Sequence, residues 1–314
     1  METWIDVLLC IVLILLVLKL YLKLTTGWCN SQVNLLGKTV IITGANTGIG
    51  YETAADLAKR GATVILACRN EEKAKKAVQQ LITETDNRHI SYKLVDLSSM
   101  KSVRRFADDI NNTLDRLDVL INNGGLHRIP GAGFTEDGLQ PIMATNYFGH
   151  WLLTHLLMDL LKKSSPSRVV NVASVAGSLL PLKAKNLNGP GLTEHDPYAR
   201  SKLANVLFTI ELAKRLQGTG VTTYSLHPGV ILSEFTRNIP LRPVVNLGIR
   251  LFFKDVIEGA QTTIHCAVAK GIEKYSGENF HDCQKVGRYL FAKNPDLATA
   301  VWKKTEELLN INNA

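Results

Sequence analysis

The chain of 314 residues can bury one large core, and a composition 46% hydrophobic and 20% charged is that of a globular protein. Its five cysteines (Cys10, Cys29, Cys68, Cys266 and Cys283) are odd in number and nowhere spaced C-x-x-C, which argues against a disulfide framework or a zinc site and for a reducing compartment. A net charge of +8 would suit nucleic acid, anionic lipid or a phosphorylated cofactor, but no basic run interleaved with aromatics marks a nucleic-acid groove, and nucleic acid is set aside.

From Val7 to Leu18 the sequence is unbroken apolar, and only Lys19 and Lys23 interrupt its continuation to Leu24. As a helix, Val7–Leu24 would span roughly 27 Å, about the hydrocarbon thickness of the endoplasmic reticulum membrane, with the lysine stems snorkelling at one end. A cleaved signal peptide would need a basic leading region, whereas Glu2 and Asp6 stand there and no small-x-small site follows. Residues 1–24 therefore read as a membrane anchor in contact with lipid. Whether the anchor crosses the bilayer or lies in one leaflet stays open. The basic residues beyond it place the rest of the chain on the cytosolic face of the endoplasmic reticulum, with a lipid droplet or another membrane surface as the alternative. The glycosylation sequon Asn111-Asn112-Thr113 would be silent in that topology, and so tests it.

Residues 25–37 are polar and read as a linker. Short apolar, β-branched runs then follow at Lys38–Thr43, Ala62–Cys68, Ile90–Val95, Asp118–Asn122, Arg168–Ala173 and Val221–Leu226, separated by stretches long enough for helices. Their hydrophobicity is continuous rather than alternating, which implies strands covered on both faces. The predicted fold is therefore α/β, a doubly wound parallel sheet of the Rossmann type, forming a single domain over residues 38–314 behind the anchor helix. Residues 228–254 are rich in Pro, Leu, Ile and Phe, and Pro240 and Pro243 break any long helix. They read as a substrate-side lid whose apolar surface includes Leu232, Phe235, Ile239, Leu247, Phe252 and Phe253; core or interface packing would explain the same residues.

The first strand runs directly into Gly44-Ala45-Asn46-Thr47-Gly48-Ile49-Gly50, and a helical stretch, Tyr51–Arg60, follows. Glycines so placed allow a tight turn and let the backbone approach a pyrophosphate, while the helix N-terminus offers free amides and a positive dipole. The tip of the second strand discriminates the cofactor: an acid there binds the ribose hydroxyls of NAD, an arginine the 2′-phosphate of NADP. The strand ends Ala67-Cys68-Arg69, so the expected cofactor is NADP(H), although Glu71 and Glu72 follow closely.

Hydride transfer at a carbinol carbon needs a group that takes and returns a proton near neutral pH. A tyrosine serves if a cation one helical turn away favours its phenolate, and Tyr198 and Lys202 have that spacing behind Asp196 as N-cap and Pro197 at the first helical position. Tyr289 and Lys293 share the spacing, so context must separate the pairs. Only Tyr198 lies downstream of a buried strand whose carboxyl end delivers Ser174, placed to hold the substrate oxygen. No histidine spacing supports a metal site, and none is proposed.

From about Lys38 to Phe280 these residues resemble the short-chain dehydrogenase/reductase family, with the glycine loop, Asn146, Ser174, Tyr198 and Lys202 in its order and approximate spacing. The resemblance implies that Tyr198 is the acid/base, Ser174 orients the substrate oxygen, and Lys202 lowers the tyrosine pKa and binds the nicotinamide ribose. It implies that Asn146 holds a water relay to the lysine, that Asp96-Leu97 and Asn123 line the adenosine side, and that Pro228-Gly229 with Ser233 meet the nicotinamide carboxamide. Gly124 stands where the family usually has alanine, and Ser233 where it has threonine. Within the family, Ala67-Cys68-Arg69 and Tyr198-Ala199-Arg200-Ser201-Lys202-Leu203-Ala204-Asn205 are similar to the microsomal retinol dehydrogenase group, which reduces retinal with NADPH. The expected substrate is a small lipophilic alcohol or aldehyde, retinol/retinal first, with hydroxysteroids and lipid aldehydes as alternatives. A non-catalytic membrane scaffold is the rival of another class, and the four intact catalytic positions argue against it. A homo-oligomer stays open.

Overall fold

The computed structural model describes residues 2–129, 131, 133–189, 196–231 and 254–311. The chain begins with helix α1 (Glu2–Thr25), and from Thr39 onward strands and helices alternate. In chain order these are β1 (Thr39–Thr43), α2 (Gly48–Lys59), β2 (Thr63–Cys68), α3 (Glu71–Thr85), β3 (Ile90–Leu94), α4 (Met100–Thr113) and β4 (Val119–Asn122). Next come α5 (Pro141–Met143), a π-helical turn (Ala144–Phe148), α6 (Gly149–Leu156), α7 (Met158–Lys163) and β5 (Ser167–Val172). The rest comprises α8 (Asp196–Arg215), β6 (Val221–His227), α9 (Val256–Val268), β7 (Asn279–His281), β8 (Gln284–Val286) and α10 (Pro295–Leu308).

Among the described residues all strands join one sheet in the order β3-β2-β1-β4-β5-β6-β7-β8. The first seven run parallel and β8 returns antiparallel to β7. Strand order reverses between β1 and β4, so the carboxyl ends of β1, β4 and β5 meet at the crevice where such sheets bind ligands. Helices cover both faces. Phe106, Trp151, Phe208 and Trp302 fill one side, and Leu57, Leu81 and Ile264 the other. The predicted doubly wound domain is therefore what forms. At the outer edge β3 departs from two-sided burial, with Ile90 buried and Ser91 exposed; an edge strand has one neighbour and a half-open face.

Among the described residues no helix is long and apolar enough to cross a membrane. The helix expected over residues 1–24 is present as α1, but a span is not shown, and Asp6 on one side and Lys19 and Lys23 on the other confine the uninterrupted apolar run to Val7–Leu18. Helix α1 nonetheless exposes Leu13, Ile14, Leu16 and Val17, more than 55% of each side chain's residue surface facing outward.

The segment read as a linker lies along the domain rather than away from it. Cys29 N–H donates to Gln261 Oε1 at 3.2 Å, Arg60 Nη1 donates to the Ser31 carbonyl at 2.6 Å, and Leu35 N–H reaches the Arg60 carbonyl at 2.8 Å. An extended segment has unpaired backbone groups, and the Gln261 and Arg60 side chains and the Arg60 carbonyl supply partners for them. Most of the expected lid, including Leu232, Ser233, Phe235, Ile239, Leu247, Phe252 and Phe253, lies outside the described residues.

Candidate active site

The glycine loop closes against the end of β4. Gly44 has φ +64°, and a Cβ there would lie 2.8 Å from Gly124 Cα. On Gly50 a Cβ would lie 2.5 Å from Asn123 Nδ2 and 2.7 Å from the Gly44 carbonyl. Only glycine fits at either place. Thr47 caps α2 in an extended conformation without a side-chain hydrogen bond, and the first turn holds no acid. The amides and dipole of that helix start are thus available to a pyrophosphate. Cys68 packs beneath the loop near the Ala45 and Asn46 amides as a neutral thiol, its pKa pushed up to about 11 by burial. Arg69, at the tip of β2, is exposed and has no ion-pair or hydrogen-bond partner among the described residues. This cradle fits a phosphorylated dinucleotide.

Two predicted cofactor residues have structural duties. Asn123 donates through Nδ2 to the Thr43 carbonyl at 2.8 Å, and its N–H donates to Thr43 Oγ1 at 2.9 Å, so it holds the loop in place. Asp96 Oδ1 accepts from Ser98 N and Ser98 Oγ at 2.9 and 2.6 Å, an Asx turn that fixes the start of the β3–α4 connection. Leu97 is buried, its Cδ1 3.0 Å from where a Gly124 methyl would stand. Pro228 is buried, Gly229 adopts φ +94°, and Ser233 is outside the described residues.

At the carboxyl end of β5, Ser174 caps a 3-10 turn, Val175–Ser178. A Cβ on Gly177 would lie 2.8 Å from Leu203 N, so this turn presses directly on α8. That close approach brings Ser174 toward the Tyr198 phenol, near enough for its hydroxyl to act on the phenol's pKa. Lys202 reaches back under the ring, its Nζ 5.7 Å from the Tyr198 centroid and donating to the Val172 carbonyl at 2.8 Å. Burial pushes Tyr198 up to about 12; the nearby Ser174 hydroxyl opposes this and nearby Tyr289 adds to it. Burial also pulls Lys202 down to about 8. In this arrangement the desolvation of Tyr198 outweighs any help from the lysine.

Asn146 sits in the π turn, where Gly149 N–H bonds back to Ala144 rather than Thr145. Its amide is fully engaged: Oδ1 accepts Leu126 N–H at 2.8 Å, and Nδ2 donates to the Leu126 carbonyl at 2.8 Å and to Ser201 Oγ at 3.0 Å. The side chain is thereby locked between the β4 loop and α8. Its main-chain carbonyl faces His150 Nδ1 at 3.1 Å, while His150 Nε2 meets Thr43 Oγ1 at 2.8 Å. A carbonyl can only accept, so Nδ1 carries the proton, and Thr43 Oγ1–H donates to Nε2. Thr43 Oγ1 then accepts Asn123 N–H and Gly124 N–H, both at 2.9 Å. One directional hydrogen-bond chain runs from Asn146 to the glycine loop. Burial holds His150 neutral, with its pKa pulled down to about 3.

The structure thus brings Ser174, Tyr198, Lys202 and Asn146 together beside the glycine loop. It adds residues that no sequence pattern marked: Ser201 and His150 behind Asn146, Thr43 behind the loop, and His127, whose ring stands edge-on to Tyr198 at 4.8 Å between centroids. Tyr289, set aside as the weaker Tyr-x-x-x-Lys pair, lies close enough to Tyr198 to raise its pKa. Among the described residues, no cluster of three histidine, cysteine or acidic residues is arranged to hold a metal.

The model of the short chain dehydrogenase family matches residues 38–242. Retinol dehydrogenase 12 of Bos taurus is 46% identical over 286 residues, covering 91% of this chain and 90% of that one. Retinol dehydrogenase 11 of Homo sapiens is 44% identical over 289 residues, covering 92% and 91%. Among solved structures, an uncharacterized protein from Mycobacterium paratuberculosis aligns with TM-score 0.72 at 32% identity, over 91% of this chain and 98% of that one. The Pseudomonas aeruginosa RhlG/NADP active-site complex aligns with TM-score 0.64 at 26% identity, over 79% and 95%.

Proposed function

Because the chain belongs to the short chain dehydrogenase family and is an oxidoreductase acting on CH–OH and C=O groups, we propose that it reduces a membrane-partitioned aldehyde, retinal first, with NADPH. The observation that carries this reading is the convergence of Ser174, Tyr198 and Lys202 at the carboxyl end of β5, beside a cradle whose outer tip is Arg69. The bound dinucleotide supplies the hydride. Arg69 accommodates its 2′-phosphate, the α2 amides its pyrophosphate, and Lys202, with a single acceptor at Val172, has donors left for ribose hydroxyls.

Ser174 and Tyr198 hold the carbonyl oxygen between two hydroxyl donors. With its pKa near 12, Tyr198 is protonated at neutral pH and delivers that proton to the developing alkoxide. The reverse reaction would start from the phenolate, whose formation burial opposes. Lys202 lies under the ring, where its ammonium stabilises the phenolate left behind and returns a proton to it. Helix α1, which exposes Leu13, Ile14, Leu16 and Val17, associates with the endoplasmic reticulum membrane and keeps the domain where retinoids and other lipid aldehydes partition.

Turnover of all-trans-retinal by the full chain in microsomes, NADPH against NADH, tests the reading. NADPH-dependent reduction is expected, and Tyr198→Phe should lose at least ~10²-fold in kcat while still binding NADPH. Inert retinal with retained NADPH binding would overturn the retinoid assignment, and equal rates with both cofactors would overturn the role of Arg69.

A further inference from the structure

The turn between β7 and β8 is made by Asp282 and Cys283, at φ +50° and +59°, with His281 opposite Gln284. Two consecutive left-handed residues form the primed hairpin turn, which ordinarily selects Asn-Gly. Neither residue here is glycine, so the surroundings must hold the turn in that conformation.

Three contacts converge on it. Gly27 N–H donates to Asp282 Oδ1 at 2.9 Å. A Cβ on Gly27 would lie 2.0 Å from the Asp282 carbonyl oxygen, so the two backbones are pressed together. Lys254 forms an ion pair with the same carboxylate, and His281 Nε2 lies 3.4 Å from its other oxygen. Lys254 in turn braces the loop after β6. Its N–H bonds to the Val230 carbonyl at 3.1 Å, and a Cβ on Gly229 would lie 2.7 Å from Lys254 Cδ. The stem of Lys254 therefore lies along Gly229, whose left-handed φ gives the loop its shape. A second stitch joins Lys23, at the end of α1, to Glu258, which completes the capping box of α9.

We propose that the segment after α1 is a working part of the cofactor site: docked through Gly27, it holds Asp282, which aims Lys254 beneath Gly229 and so fixes the nicotinamide-side loop. This rests on the reading of Pro228-Gly229 as that loop. The attachment of α1 and the affinity for NADPH are then coupled, and the coupling is reciprocal: NADPH must also strengthen docking of the segment.

The test uses the full chain in detergent micelles, with Gly27→Ala, Asp282→Asn, Lys254→Met and the Gly27→Ala/Lys254→Met double variant. Amide exchange without cofactor is read at 27–31 and 229–231, and NADPH affinity by its fluorescence. Gly27→Ala should speed exchange in both segments and weaken NADPH about tenfold, with kcat at saturation unchanged. Lys254→Met should do the same at 229–231, and the double variant no more than either single one. Asp282→Asn, which keeps the size of the side chain, covers misfolding of Gly27→Ala. Faster exchange at 27–31 with 229–231 and NADPH affinity unmoved would overturn the proposal, as would additive losses in the double variant. If the wild type binds no NADPH, the cofactor reading fails, and the exchange coupling between the two segments decides the brace alone.

Discussion

Replacing Lys202 with methionine should abolish turnover and yet stabilise the protein. The ammonium is 5% exposed and has one hydrogen-bond acceptor, the Val172 carbonyl. Burial lowers its pKa from 10.5 to about 8. At ~1.4 kcal/mol per pKa unit, holding the charged form in the fold at pH 7 costs about 3 kcal/mol. Methionine removes that cost and leaves a carbonyl one partner short, a loss of ~1 kcal/mol. The net gain of ~2 kcal/mol corresponds to a rise in Tm of about 4 °C for a domain of this size. Because the folded pKa lies below the unfolded one, the unfolded chain holds the extra proton between pH 8 and 10.5. Wild-type stability therefore recovers relative to the variant as pH rises through that window, and the cost is full below it. The assay is thermal unfolding of both proteins without cofactor from pH 6.5 to 10.5. The variant should lead at neutral pH, and its lead should shrink and reverse by pH 10.5. A lead independent of pH, or a less stable variant at pH 7, would refute the assignment of Lys202 as a desolvated cation.

Arg69→Asp should weaken NADPH by about 10–100-fold and shift preference to NADH, measured as the ratio of kcat/KM values; an unchanged ratio would place the 2′-phosphate elsewhere. Gly124→Ala should be tolerated within ~1 kcal/mol in urea unfolding with turnover retained, because the added methyl's tightest contact is the movable end of Leu97, 3.0 Å away, with Thr43 Oγ1 and Gly44 N at ordinary distances of 3.4 and 3.5 Å; a large loss would mean that Leu97 is fixed. His150, pulled from 6.5 to about 3, gives the unfolded state the greater proton affinity between those values, so it withdraws stability as pH falls from 6.5 toward 3, about 3 kcal/mol by pH 4.5. His150→Gln should flatten that slope in acid titration of Tm and lower kcat through Asn146, whereas an unchanged slope would show that the ring is not held neutral.

The sequence exposes β1 to β6 because each is an apolar, β-branched run between turn residues, and their bounds in the structure differ from those runs by a residue or so. It hides β7 and β8, three residues each and partly polar, because the hairpin is defined by pairing with β6 rather than by its own pattern. Tyr198 and Lys202 are legible as a helical spacing, and Ser174 as the end of a buried strand. What holds them is not: Gly177 pressed on Leu203, Ser201 beneath Asn146, and the His150–Thr43 chain join residues distant in sequence through side chains with no periodicity. Asn123 shows the converse, since its place in a motif suggests a ligand contact while its hydrogen bonds serve the loop. The N-terminal helix is legible as the unbroken apolar run from Val7 to Leu18.

The π turn at Ala144–Phe148 makes the site depend on chain length as well as on residue identity. A π turn accommodates one residue more than the α-helix it interrupts, and that surplus residue sets the angle at which Asn146 faces Leu126 and Ser201. Deleting a single residue between Pro141 and Leu156 would let the helix close into regular α geometry, turning its two halves relative to each other by about 100°. Every residue type of the catalytic group would survive such a deletion, and the asparagine would point away from the site. The surplus residue is thus a functional element carried by no particular side chain, and point substitutions alone would leave it undiscovered.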